Sequence, residues 1–360
     1  MGRDVNKRKS MKRAKIITEI CISLAILGVG GFMIKSAISR SQTLGTSPYV
    51  ADSLADNETT DIAEATTDPN KIIFENTAVA TKDKFKGSLI LVNNNQQYFS
   101  GGENLVSINE KLGEDGRTSY VGNDNDMQIL DVVYTPLSEM LDAFNAATGY
   151  NDIVIIGGYR TTDKQQELYD EDLASTGLDS SDRVALPGHS EHESGYALDF
   201  TTSTTWDYDG TGEYDWINQN CWKYGFILRY QENKTEITQI KYEPWHYRYV
   251  GIPHAYYMYK NGLCFEEYTD LLRNYPYDSE HLKFTDDNGT AYEVYFVQSD
   301  DGADETYVPV PSSLKYDISG NNVDGFIVTV YTGETVEATE AATEAPTEAP
   351  TDAPTDAPTE

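Results

Sequence analysis

An apolar run directly behind a basic cluster sets the topology of everything downstream. Ile16 to Ile34 is apolar apart from Thr18, Glu19 and Ser23, a span close to the ~20 residues that cross a bilayer core. Residues 1–40 hold nine basic side chains against two acidic ones, a net +7, so the remainder of a chain with formal charge −32 carries −39. Basic residues stay on the cytoplasmic side of a membrane. The pattern predicts a cytoplasmic basic segment over 1–15, a transmembrane anchor over 16–34 and an extracellular remainder, in a single-pass cell-membrane protein. A cleaved secretory signal is the rival reading, because Glu19 shortens the uninterrupted run to the 15 residues Ile20 to Ile34. The acidic sum also argues against nucleic acid as a partner, since gripping phosphates electrostatically needs a basic surface.

Past the anchor, composition separates folding from non-folding segments. Residues 35–85 read as an acidic linker: Ser41 to about Asp68 is rich in Thr, Asp, Ala, Ser and Glu without apolar periodicity, so it cannot bury enough surface to offset ordering entropy. Residues 334–360 read as a disordered tail, with Thr-Glu/Asp-Ala-Pro repeating at a period of four from Thr339. Between them, residues 86–276 mix strand and helix signals. Ser88–Val92, Asp152–Ile156, Tyr196–Phe200, Phe226–Tyr230 and His246–Val250 predict strands. Leu137, Met140, Leu141 and Phe144, following Pro136, sit at helical spacing, and further helices are expected near 163–174 and 213–224. This is an α+β pattern. Residues 277–333 predict a small β-rich accessory module, from the strand-like runs Ala291–Val297 and Gly325–Tyr331 with Asp-Asn-Gly and Gly-Asn-Asn turn signals. Cys221 and Cys264 are expected as free buried thiols.

Five histidines in 360 residues make each one informative. His192 lies among carboxylates and is followed seven residues later by Asp199, at the end of an apolar stretch; His246 is preceded by Glu243 at a distance of three. Two neutral imidazoles and one carboxylate make a three-ligand zinc site with an open fourth position. His192, Asp199 and His246 can supply it, leaving Glu243 to take a proton from the attacking water and pass it to the leaving amine. Residues three apart on a strand point to opposite faces, so Glu243 and His246 converge only if Pro244 bends the chain before the strand begins. Gly195 must likewise permit the turn that brings His192 toward Asp199. The ordinary alternative makes His192 a surface ion-pair residue and 243–248 a solvated strand edge.

Three blocks in order resemble VanY-type D-alanyl-D-alanine carboxypeptidases, zinc peptidases of the superfamily that also holds lysostaphin-type peptidases and the Hedgehog signalling domain. Gly158-Tyr159-Arg160-Thr161 with Gln165, Pro187 to His192 through Asp199, and Glu243-Pro244-Trp245-His246 carry the resemblance. It implies a small antiparallel sheet with flanking helices, and one zinc ion bound by His192, Asp199 and His246. It further implies Glu243 as catalytic base, and Arg160, Gln165 and Ser190 holding the peptide's terminal carboxylate or the developing oxyanion. The implied activity is removal of the C-terminal D-alanine from peptidoglycan stem peptides at the outer face of a bacterial membrane. L,D-carboxypeptidase or endopeptidase action on the same peptides, or a silent wall-binding module, are the alternatives. Glu193 stands where the family usually has Gln, and Tyr196 where a smaller aliphatic is common.

Overall fold

The computed structural model of the chain describes residues 72–99, 104–181 and 183–335. The expected cytoplasmic segment, the anchor over 16–34, most of the linker and the tail from 336 lie outside the described residues. Among the described residues no helix is long and apolar enough to cross a membrane.

Among the described residues the order of elements starts with β1 (Phe74–Ala80) and continues through β2 (Leu105–Ser107), α1 (Ile108–Asp115), β3 (Tyr120–Gly122), β4 (Gln128–Leu130), α2 (Asp131–Thr148), β5 (Ile153–Gly157) and α3 (Thr162–Thr176). Then come β6 (Ala197–Thr202), α4 (Asp215–Asn220), β7 (Phe226–Leu228), the single turn α5 (Thr235–Thr238), β8 (His246–Tyr249), α6 (Ile252–Asn261) and α7 (Phe265–Leu272). The last five strands are β9 (Leu282–Thr285), β10 (Thr290–Gln298), β11 (Glu305–Pro311), β12 (Lys315–Gly320) and β13 (Gly325–Thr335).

The central sheet runs β3-β5-β6-β8-β7. It is antiparallel except that β3 pairs with β5 in parallel, which corrects the all-antiparallel expectation at one edge. Parallel neighbours need a crossover connection, and α2 between these two strands provides it. Val133, Leu137, Met140, Leu141 and Phe144 of α2 recur at helical spacing and are buried against Ile153, Ile155, Leu198, Phe200 and Tyr247 of the sheet. Because strand side chains alternate, the residues between these, Asp199, His246 and Arg248 among them, stand on the opposite face. That face is the one available for chemistry. Helix α2 also starts five residues before Pro136. The proline forfeits only the bond to Val132, whose side chain is on the exposed side of the helix.

The β module is built into the rest. Strands β12-β13-β10-β9 form one sheet that is apolar on both faces. Val294, Phe296 and Ile327 pack against Met258, Phe265, Tyr268 and Leu272 of α6 and α7. On the other face Tyr295, Phe326, Val328 and Val330 pack against Val308 and Val310 of β11. Strand β1, which falls inside the expected linker, pairs along its whole length with β11, from Phe74 opposite Pro311 to Ala80 opposite Glu305. Its partner lies more than 200 residues away in sequence, which composition alone does not reveal.

Ser88–Val92 is not a strand, although Leu89 to Val92 is buried as its apolar run requires. Its backbone polar groups are satisfied from outside any ladder. Leu89 N–H donates to Ser319 Oγ at 2.9 Å, Asn322 Nδ2 donates to Leu91 O at 2.7 Å, and Arg248 Nη2 donates to Ser88 O and Ile90 O at 2.9 and 3.1 Å.

Candidate metal centre

Three neighbouring strands carry the site. Gly157 of β5 lies opposite Asp199 of β6, and Asp199 lies opposite His246 of β8, so one row across the sheet holds a glycine, a carboxylate and an imidazole. His192 approaches from the single 3-10 turn Glu191–Ser194, capped by Ser190, whose Oγ accepts the His192 N–H. The turn ends at Gly195 in the left-handed region at φ 75°, which returns the chain to β6 as the sequence required.

The donor atoms of His192, Asp199 and His246 all lie within 4.8 Å of one another. His192 Nε2 is 3.0 Å from Asp199 Oδ2, and His246 Nδ1 is 2.9 Å from Asp199 Oδ1. His192 Nδ1 is 2.9 Å from the carbonyl of Gly158, which can only accept; the proton therefore sits on Nδ1 and Nε2 is free on the Asp199 side. Two imidazole nitrogens and one carboxylate oxygen are the donor set of a zinc site with an open position, so the residues fit that ion.

Glu243 precedes β8 in a turn closed by His246 N–H to Glu243 O at 3.2 Å. The bend at Pro244-Trp245 places Glu243 Oε2 3.8 Å from His246 Nδ1, meeting the condition set by strand alternation. Burial pushes the Glu243 carboxyl up to about 8, opposed by His246 and Arg160 and assisted by the negative charge of Asp199 and Glu191. A carboxyl raised toward neutrality is a competent proton acceptor; a dication in the same pocket would act in the opposite sense. Burial also raises Asp199, but His192 and His246 outweigh it and hold this carboxyl well below the ordinary carboxylate range. Burial lowers His192, which keeps it in the neutral form that ligation needs.

Arg160 is tied to the same turn, its N–H donating to His192 O at 3.1 Å. Its Nη1 donates to Gln165 Oε1 at 2.8 Å, and Gln165 Nε2 donates to Ala185 O at 2.7 Å. Gln165 is thus buried on α3 with its amide engaged at both ends, and it holds the guanidinium in place. Burial lowers Arg160, against the charges of Asp199, Glu193 and Glu243. Glu193 is buried and accepts the N–H groups of Gly188 and Ser190 at 2.9 and 3.1 Å, so its carboxylate braces the turn beside His192. His189 Nδ1 reaches Asn93 O at 2.8 Å and tethers a loop. His254 joins Tyr268 to Thr329, and His281 bonds Glu293 and Tyr277 in the β module; neither approaches the metal centre.

Glu191, Arg229, Arg248 and Glu266 have no role assigned by the sequence motifs, yet they form a buried charge cluster behind the site. Arg229 and Arg248 are 0% exposed. Arg229 Nε and Arg248 Nη1 donate to Glu191 Oε1 at 2.8 and 3.1 Å, and Arg229 forks onto Glu266 at 2.7 and 2.9 Å. His246, Tyr247 and Arg248 are therefore interior, whereas a solvated strand edge would expose them; only Trp245 of residues 243–248 is exposed. One signal was present: Arg248 follows His246 by two, which on a strand puts both on the same face.

A family profile for VanY, D-alanyl-D-alanine carboxypeptidase, matches residues 127–252. A D-alanyl-D-alanine carboxypeptidase from Enterococcus faecium is 37% identical over 259 residues, 71% of this chain and 79% of that protein. The bifunctional D-Ala-D-Ala dipeptidase and D-Ala-D-Ala carboxypeptidase VanXYC of Enterococcus gallinarum is 43% identical over 135 residues, 35% of this chain and 71% of that one. The crystal structure of the vancomycin-resistance D,D-dipeptidase VanXYg, in complex with a D-Ala-D-Ala phosphinate analogue, superposes with a TM-score of 0.63 at 31% identity. It covers 72% of this chain and 99% of that one.

Proposed function

The chain belongs to the VanY-type D-alanyl-D-alanine carboxypeptidase family, and from that premise we propose that it removes the C-terminal D-alanine from peptidoglycan stem peptides, using one zinc ion held by His192, Asp199 and His246. The observation that carries this reading is the gathering of two imidazoles and a carboxylate from separate segments, with the raised carboxyl of Glu243 3.8 Å from His246 Nδ1. Zinc bound there supplies Lewis-acid polarisation of the scissile carbonyl and a lowered pKa for water.

Glu243 takes the proton of the attacking water and returns it to the leaving amine nitrogen. Arg160 offers a planar fork of five donors, of which Gln165 occupies one; the others are left to hold the peptide's terminal carboxylate or the oxygen that gains charge. Gln165 serves substrate through Arg160, and Ser190 both caps the His192 turn and presents its hydroxyl beside it. The catalytic unit spans 86–276. We further place it at the outer face of the membrane, tethered by the anchor over 16–34; the basic cluster of residues 3–15 and the apolar run behind it support this.

The test incubates the purified chain with pentapeptide and tetrapeptide stems, with and without a zinc chelator, and identifies the released amino acid by mass. Chelator-sensitive D-alanine from pentapeptide is the expected result, and release from tetrapeptide alone would reassign the enzyme as L,D-specific. Glu243→Ala should keep fold and metal content while hydrolysis disappears. A fully active variant removes Glu243 from the role of base, and no release from either peptide with zinc bound points to endopeptidase or wall binding.

A further inference from the structure

We propose that Glu191 is the positioning residue of the third metal ligand: its carboxylate fixes the ring orientation and tautomer of His246, and Arg229 and Arg248 clamp it so that it can do so. The inference rests on the metal site proposed above and adds to it a residue outside the ligand set.

His246 has two ring nitrogens with different neighbours. Nδ1 faces Asp199 at 2.9 Å, whereas Nε2 faces Glu191 Oε2 at 3.4 Å. A metal held on the Nδ1 side takes that lone pair and leaves Nε2 as the ring's one donor, and the Glu191 oxygen behind Nε2 accepts its proton and so holds the ring with Nδ1 directed at the metal position. The same logic holds His192 the other way round, with Nδ1–H spent on the Gly158 carbonyl. The two imidazoles therefore present opposite nitrogens to one point, and each needs its own acceptor behind it.

Glu191 cannot rotate away. Its Oε1 receives Arg229 Nε at 2.8 Å and Arg248 Nη1 at 3.1 Å. Arg229 is fixed in turn by Glu266, and Glu266 accepts from Asn93 Nδ2 at 3.1 Å. Arg248 spends Nη2 on the carbonyls of Ser88 and Ile90. Both arginines and the Glu191 side chain are 0% exposed. The two guanidinium contacts fall on one oxygen, which leaves the other for His246.

That asymmetry yields a discriminating substitution. Glu191→Gln preserves volume, and the two arginine donors require the amide oxygen at the Oε1 position. The amide NH2 then faces His246 Nε2, donor against donor, and the ring proton is driven to Nδ1, where the metal should bind. In the full chain, zinc affinity measured by competition with a chromophoric chelator should fall roughly 10- to 100-fold, and the visible spectrum of the cobalt-substituted protein should shift. On the side of turnover, kcat should fall with KM changed less than about twofold, since no substrate contact is altered. A purely structural Glu191 would lower the denaturation midpoint and leave the zinc affinity of the folded protein as in the parent, which overturns the proposal. If the variant does not fold, long-range proton–nitrogen NMR of the zinc-loaded parent decides instead: His246 protonated on Nε2 supports the proposal, and protonation on Nδ1 overturns it. A parent chain that binds no zinc removes the metal-site reading itself, an outcome distinct from equal binding by parent and variant.

Discussion

Replacing Gly157 with alanine tests whether the row across β5, β6 and β8 holds the metal site. A Cβ added at Gly157 would stand 2.8 Å from Asp199 Cγ and 2.9 Å from Asp199 Cβ. Carbon atoms settle at about 3.5 Å or more, so the side chain must retreat by roughly 0.7 Å. The close contacts include the root of the side chain, so turning the carboxylate alone does not relieve them. Metal sites tolerate departures of about 0.2 Å, and the required shift is more than three times that. Zinc affinity should therefore fall at least as far as it does when an outer partner of a ligand is lost, roughly 10- to 100-fold, while overpacking costs about 1–3 kcal/mol of stability. The assay combines chelator competition, zinc content after dialysis, urea denaturation and D-alanine release. Gly158→Ala serves as the contrast, because its Cβ would meet Met127 Sδ at 2.9 Å and, closer still, the backbone carbonyl of Gln128; it should cost stability first. A Gly157→Ala protein with parental zinc affinity and turnover would refute the placement of Asp199 in the site.

Two further outcomes follow from buried groups away from the metal. Burial lowers His254 to about 3, below its unfolded value of about 6.5. The unfolded chain takes up this proton first on acidification. The contribution is thus complete above about pH 6.5 and is lost as pH falls toward 3, at about 1.4 kcal/mol per unit. Urea denaturation at pH 7 and pH 5 should show about 2 kcal/mol less acid sensitivity in His254→Gln than in the parent; equal sensitivity would contradict this. Burial also pushes the thiols of Cys221 and Cys264 up to about 12 and 11, and both are free and buried. Neither should react with a thiol reagent in the folded protein at pH 8, and both should react in denaturant; rapid labelling of the native protein would show that one is accessible.

Much of the site was legible because its chemistry is concentrated in short blocks. His192, Asp199, Glu243 and His246 are few in kind and stand in polar, turn-forming surroundings. The requirement that Pro244 bend the chain could be stated from strand alternation alone. The fold was legible where periodicity is strong, as in α2 and β10, and misread where it is weak or satisfied unusually. Ser88–Val92 has the composition of a strand, yet its polar groups go to Ser319, Asn322 and Arg248. Phe74–Ala80 resembles a linker until β11 lies beside it.

Residue type and local spacing are properties of neighbouring positions, so they reveal which side chains can do the chemistry and that 86–276 mixes helix and strand. That Glu191 stands behind His246, that Arg229 and Arg248 lie in the interior, and that the β module shares a core with α6 and α7 emerge from the folded chain alone. These arrangements join residues from distant parts of the chain. A buried charge is stable only beside its partner, and local sequence does not say which distant residue that partner is.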